Sequence, residues 1–78
     1  MKKPIERYIY SKIVRNRLVT IILYKMDNGS YEAFAYINFD TDEEIIGTGE
    51  AEDRETAIKL AINDLFVEIR QKNISERQ

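Results

Sequence analysis

The chain has 78 residues, 44% of them hydrophobic and 33% charged, with a formal net charge of −2, which describes one globular domain, residues 1–78, with a thin core. It contains no cysteine, histidine or tryptophan, so a disulfide framework, a thiolate nucleophile, and the usual general base and zinc ligand are all excluded. The carboxylates, lysines and tyrosines that remain form no pairing suited to acid–base chemistry, so a non-enzymatic protein with no catalytic residue, metal or cofactor is expected.

The chain opens MKKPIERYIYSK. It breaks into charges before any signal-like apolar stretch forms, and no run approaches the eighteen or so apolar residues a bilayer needs, so a cytoplasmic protein without a membrane partner is expected. Pro4 suits the first turn of a helix, and Ile5, Tyr8, Ile9 and Ile13 follow helical spacing, which favours a helix over residues 4–15. The alternative is a strand with Tyr8, Tyr10, Lys12 and Val14 on one face.

Two runs rich in β-branched and aromatic residues come next, LVTIILYKM (18–26) and YEAFAYINF (31–39), joined through Asn28-Gly29. That dipeptide predicts a hairpin with a two-residue type I′ turn. Such a turn sets Lys25 against Glu32, Leu23 against Phe34, Ile21 against Tyr36 and Val19 against Asn38 on one face. The other face pairs Met26 with Tyr31, Tyr24 with Ala33, Ile22 with Ala35 and Leu18 with Phe39. Small side chains at Ala33 and Ala35 leave room for a helix to pack on that second face. The first face would then stay open, making Ile21, Leu23, Phe34 and Tyr36 a candidate apolar interface.

Between the hairpin and the last element lies FDTDEEIIGTGEAEDRE (39–55), with eight acids and one base. Within it EEIIGTGE (43–50) suits a third strand, with Gly47 and Gly49 allowing a bend or close backbone approach. Asp40-Thr41-Asp42-Glu43-Glu44 begins like a calcium loop. Ile45 stands where such a loop needs glycine, however, and Ala51 where it needs the bidentate glutamate. From residue 53 the pattern is helical, with Ile58, Ala61, Ile62, Leu65, Phe66 and Ile69 on one stripe. Asp53 is placed to cap this helix and Glu55 lies in its first turn; about residues 73–78 read as a frayed tail.

The expected fold is therefore α+β, in the order α-β-β-β-α, with a three-stranded antiparallel meander and helices packed on one face. From Tyr31 to Ile69, a strand ending in Gly47-Thr48-Gly49 precedes a helix bearing Ala57, Leu60, Ala61 and Leu65. This half resembles the double-stranded-RNA-binding domain. The resemblance implies phosphate contacts at the start of the last helix, where this chain has Asp53-Arg54-Glu55-Thr56 and only Arg54 is basic.

Charge is unevenly spread: residues 1–26 carry seven bases to one acid, and residues 27–55 ten acids to one base. The expected partner is a protein with a basic surface, engaged through Asp40, Asp42, Glu43, Glu44, Glu50, Glu52, Asp53 and Glu55. Small acidic domains of this kind suit inhibitors and adaptors, including those carried by phages. One alternative is a double-stranded nucleic-acid binder using Lys12, Arg15, Arg17 and Arg54 against phosphates. Another is a structural homodimer.

Overall fold

A computed structural model describes residues 2–76, and side chains over residues 2–72. Its elements are β1 (Pro4–Val14), β2 (Arg17–Met26), β3 (Tyr31–Ile37), β4 (Ile45–Ala51) and α1 (Arg54–Glu76). The strands form one antiparallel sheet in the order β1-β2-β3-β4, and α1 lies across one face of it. The fold is α+β, with four strands and one helix where the sequence suggested three strands and two helices. Residues 77 and 78, part of the expected tail, lie outside the described residues.

The N-terminal segment is a strand because the turn after it returns the chain alongside. Arg15 and Asn16 both have positive φ, 52° and 64°, the two-residue turn whose twist matches paired strands. It folds β1 back on β2 from Val14↔Arg17 to Glu6↔Lys25. The spacing of four between Ile5, Ile9 and Ile13 is an even number and also about one helical turn. It therefore fits one face of a strand as well as a helix.

The β2–β3 turn corrects the expected register. Gly29 donates to the Met26 carbonyl at 3.1 Å, and Met26 N–H to the Ser30 carbonyl at 2.9 Å. Only Gly29 of the turn has positive φ, at 90°. The loop is thus three residues long, a type I turn closed by a glycine bulge, with Asn28 Oδ1 accepting from the Ser30 N–H and hydroxyl at 3.0 and 2.7 Å. The extra residue moves the pairing by one, to Ile21↔Ala35, Ile22↔Phe34 and Leu23↔Ala33, and so exchanges the faces of β2 relative to β3.

Ala33 and Ala35 do face the helix, but opposite Leu23 and Ile21 rather than Tyr24 and Ile22. Ile21 and Leu23 are 0% and 1% exposed. They belong to the core with Val19, Ile37, Ala57, Ala61, Leu65 and Ile69. On the helix side Ala33 pairs with Gly49 and Ala35 with Gly47, which makes a shallow trench. The helix settles into it with Ala57, Ala61 and Leu65 fully buried, while Ile58, Ile62 and Phe66 pack along one flank. Asp53 caps the helix, its Oδ1 accepting the Thr56 N–H at 2.9 Å and its Oδ2 the Thr56 hydroxyl at 2.6 Å.

Candidate functional site: an open sheet face

The helix packs along β4 and β3, touches β2 slightly, and its backbone stays clear of β1. The opposite face of the sheet has no cover among the described residues. Pairing across the strands places Ile9, Ile22 and Phe34 in one row, Ile13 and Leu18 in another, and Tyr36 beside Ile46. Ile9, Ile13, Leu18 and Ile46 are 52%, 66%, 61% and 41% exposed. Tyr24 and Phe34 meet edge to face at 5.8 Å, and Tyr36 meets Phe39 at 4.9 Å. Of the four residues expected on an open apolar face, the fold keeps Phe34 and Tyr36 there and puts Ile21 and Leu23 in the core. Sequence reasoning missed Ile9, Ile13, Leu18 and Ile46. The one available signal was the Ile5, Ile9, Ile13 spacing read as a strand.

The acidic run is not one patch. Asp40, Asp42, Glu43 and Glu44 lie in the β3–β4 loop, whereas Glu50, Glu52, Asp53 and Glu55 lie beyond the middle of β4, around the helix entry. Strand β4 between them is about 20 Å long at roughly 3.3 Å per residue. Several of these carboxylates have local partners. Glu44 accepts the Asp40 N–H at 2.7 Å, closing a loop in which Thr41 also donates its hydroxyl to the Asn38 carbonyl at 2.6 Å. Glu50 stands directly across from Glu32 on the open face, and Lys2 bridges the two, bonding Glu50 and lying 3.8 Å from Glu32. The bond to Glu50 raises the pKa of Lys2, and the Thr56 hydroxyl, then its N–H, lower that of Asp53. Burial, followed by the charge of Glu44, raises that of the Tyr36 hydroxyl. The open face therefore has carboxylates at both ends of its β3–β4 side, Glu44 at one and Glu32 with Glu50 at the other.

The bases show the reverse pattern: distant in sequence, they meet in space. Lys12 of β1 and Arg54 and Lys59 of α1 line one groove between strand and helix, together with the carboxylate of Glu55 and with Tyr10, Ile58 and Ile62. Arg54 lies over the Tyr8 ring at 5.2 Å, and Arg15 over Phe66 at 4.5 Å. Arg17 lies apart from that groove, near Asn38 and Lys72. Lys59, which the sequence pairs with Glu55 along the helix, was not among the expected phosphate contacts, because its place beside Lys12 depends on β1 being a strand.

No group of three or more metal-ligating side chains occurs among the described residues, and no described helix is long and apolar enough to cross a membrane. The last three elements run strand–strand–helix, and the first element is a strand. No family model, curated protein or solved structure matches the chain.

Proposed function

We propose that this protein is a non-enzymatic binding module, an inhibitor or adaptor, that engages another protein through the open face of its sheet. The observation that carries this is the set of apolar side chains on the side the helix leaves bare: exposed Ile9 and Ile46 with half-buried Phe34 and Tyr36, and exposed Ile13 and Leu18 beyond the Ser11–Thr20 pair. An apolar patch with a polar rim is the usual form of a protein contact. The carboxylates of Glu44, Glu32 and Glu50 at its rim favour a partner with basic groups around an apolar centre. The acidic run thus contributes as two corners of one interface.

A second reading rests on the groove where three bases, Lys12, Arg54 and Lys59, outnumber the one acid, Glu55, which suits an anionic ligand such as duplex nucleic acid. One experiment separates the two: capture from lysate at low salt, with and without nuclease, by wild type and by the Ile46→Glu, Phe34→Ser variant. A protein retained by wild type after nuclease treatment, released as salt rises and lost by the variant, supports the first reading. Identical retention by both chains refutes it. Retained nucleic acid that is indifferent to the two substitutions replaces it with the second.

A further inference from the structure

We propose that the protein forms a two-fold homodimer in which β1 pairs antiparallel with β1 of a second copy, centred on Ile9. This goes beyond the open face, because it concerns the edge of the sheet.

The two edges of the sheet are treated differently. On β4 the Asp64 carboxylate, reaching from α1, accepts the Thr48 N–H at 2.9 Å, and the helix lies close along the strand. On β1 no side-chain hydrogen bond to the outward backbone groups occurs among the described residues. Its Tyr8, Ile9, Tyr10 and Ile13 side chains are exposed. A long bare edge strand with exposed apolar side chains is a template for another strand.

The backbone phase is set by the β1–β2 turn. A two-residue turn makes its flanking residues, Val14 and Arg17, a hydrogen-bonded pair. Alternation then directs the even-numbered residues of β1 toward β2 and turns the N–H and C=O groups of Arg7, Ile9 and Ser11 to the open edge. Pairing about Ile9 matches outward groups with outward groups: Ile9 with Ile9 and Arg7 with Ser11.

The side chains select a second copy as the occupant. Read outward from Ile9, the strand is self-complementary: Tyr8 meets Tyr10, Arg7 meets the neutral Ser11, and Glu6 meets Lys12, twice by symmetry. Moving the centre to Tyr8 sets Lys12 against Pro4, and moving it to Tyr10 sets Lys12 against Tyr8; both lose the charge match. Below Glu6 the regular edge ends, since the pairing shifts between Pro4 and Glu6. Steric room is present, because the backbone of α1 stays clear of β1, so two β1 strands separate the helices of the two copies. The dimer would carry one eight-stranded sheet, with Ile9 and Ile13 of both copies extending the apolar open face.

Two measurements test this. In sedimentation or light scattering over a concentration series, wild type should dimerise and Glu6→Lys should weaken the dimer about tenfold or more by opposing like charges. The swap Glu6→Lys, Lys12→Glu should restore it, while Ile46→Glu on β4 leaves it unchanged. The chain has no cysteine, so Ile9→Cys adds a single thiol at the two-fold. The Cα separation there, about 5.5 Å in a hydrogen-bonded antiparallel pair, lies within disulfide reach. Ile9→Cys should oxidise to a covalent dimer and Ser11→Cys, which faces Arg7, should not. A wild type monomeric throughout, a dimer indifferent to Glu6→Lys, or equal cross-linking by both cysteine variants overturns the proposal.

Discussion

A single methyl group at residue 47 should cost this protein a large share of its stability. A Cβ built on Gly47 would stand 2.6 Å from the Leu65 Cα and nearer still to the Leu65 nitrogen and the Ala61 carbonyl oxygen. Ordinary contact begins near 3.4 Å, so even the Leu65 Cα is about 0.8 Å too close. The obstructing atoms are helix backbone, which has no rotamer to change, so α1 has to lift as a body. A gap of 0.5–1 Å forfeits about a quarter to a half of each dispersion contact, and the lifted helix would lose contacts all along Ala57, Ala61 and Leu65. Overpacking of this kind costs about 1–3 kcal/mol, occasionally more.

The opposing effect is the entropy a glycine gives the unfolded chain, and replacing it contributes only about 0.4–1 kcal/mol. Overpacking wins, and a net loss of about 2 kcal/mol is expected. For a chain of this size that lowers Tm by roughly 8–16 °C. Gly49→Ala should behave alike, its Cβ falling 2.5 Å from the Ala57 carbonyl oxygen and 2.6 Å from the Ala61 nitrogen. Thermal melts followed by circular dichroism give the answer. A Gly47→Ala protein that melts with wild type, or above it, would show that the helix does not sit in the Ala33–Gly49 and Ala35–Gly47 trench.

The register can be tested by contrast. Leu23→Ala, in the core, should lose about 2–5 kcal/mol in urea unfolding, and Leu18→Ala, on the open face, should change stability by less than about 0.5 kcal/mol; similar losses at both sites would refute the three-residue turn. Gly29→Val places a β-branched residue at φ 90° and should lower Tm although no atom lies within 4 Å of its Cβ, through backbone strain alone; an unchanged melt would refute it. Asp53 has a folded pKa below its ordinary 3.8, so its cap contributes stability that is complete above that value and is lost as pH falls through the folded pKa. Asp53→Ala should therefore lower Tm at neutral pH and narrow its gap from wild type in strong acid; a gap that stays constant with pH would remove the carboxylate from the cap's role. Lysine at Asp42, Glu43 and Glu52 should leave Tm within a few degrees of wild type, since exposed charges contribute little to folding.

Three of the strands and the helix are written locally. The β-branched and aromatic runs of β2 and β3, the helical stripe from Ile58 to Ile69, the Asp53 cap and the small residues at 33, 35, 47 and 49 each act over a few neighbouring positions. Their roles in the fold come from their own chemistry. The first strand is different, because isoleucines four apart satisfy both periods. Only pairing with β2, through a turn at Arg15-Asn16, decides between them. The register of β2 on β3 also belongs to the folded state. Asn28-Gly29 is compatible with a loop of two or three residues. The longer loop puts Ile21 and Leu23 under the helix against alanines, where large side chains meet small ones. The same reason scatters one candidate surface and assembles another. Carboxylates adjacent in sequence are carried to opposite ends of a seven-residue strand, while Lys12 and Lys59, 47 positions apart, are brought to one groove. Proximity along a chain sets charge density only where the backbone does not extend, and in β4 it extends fully.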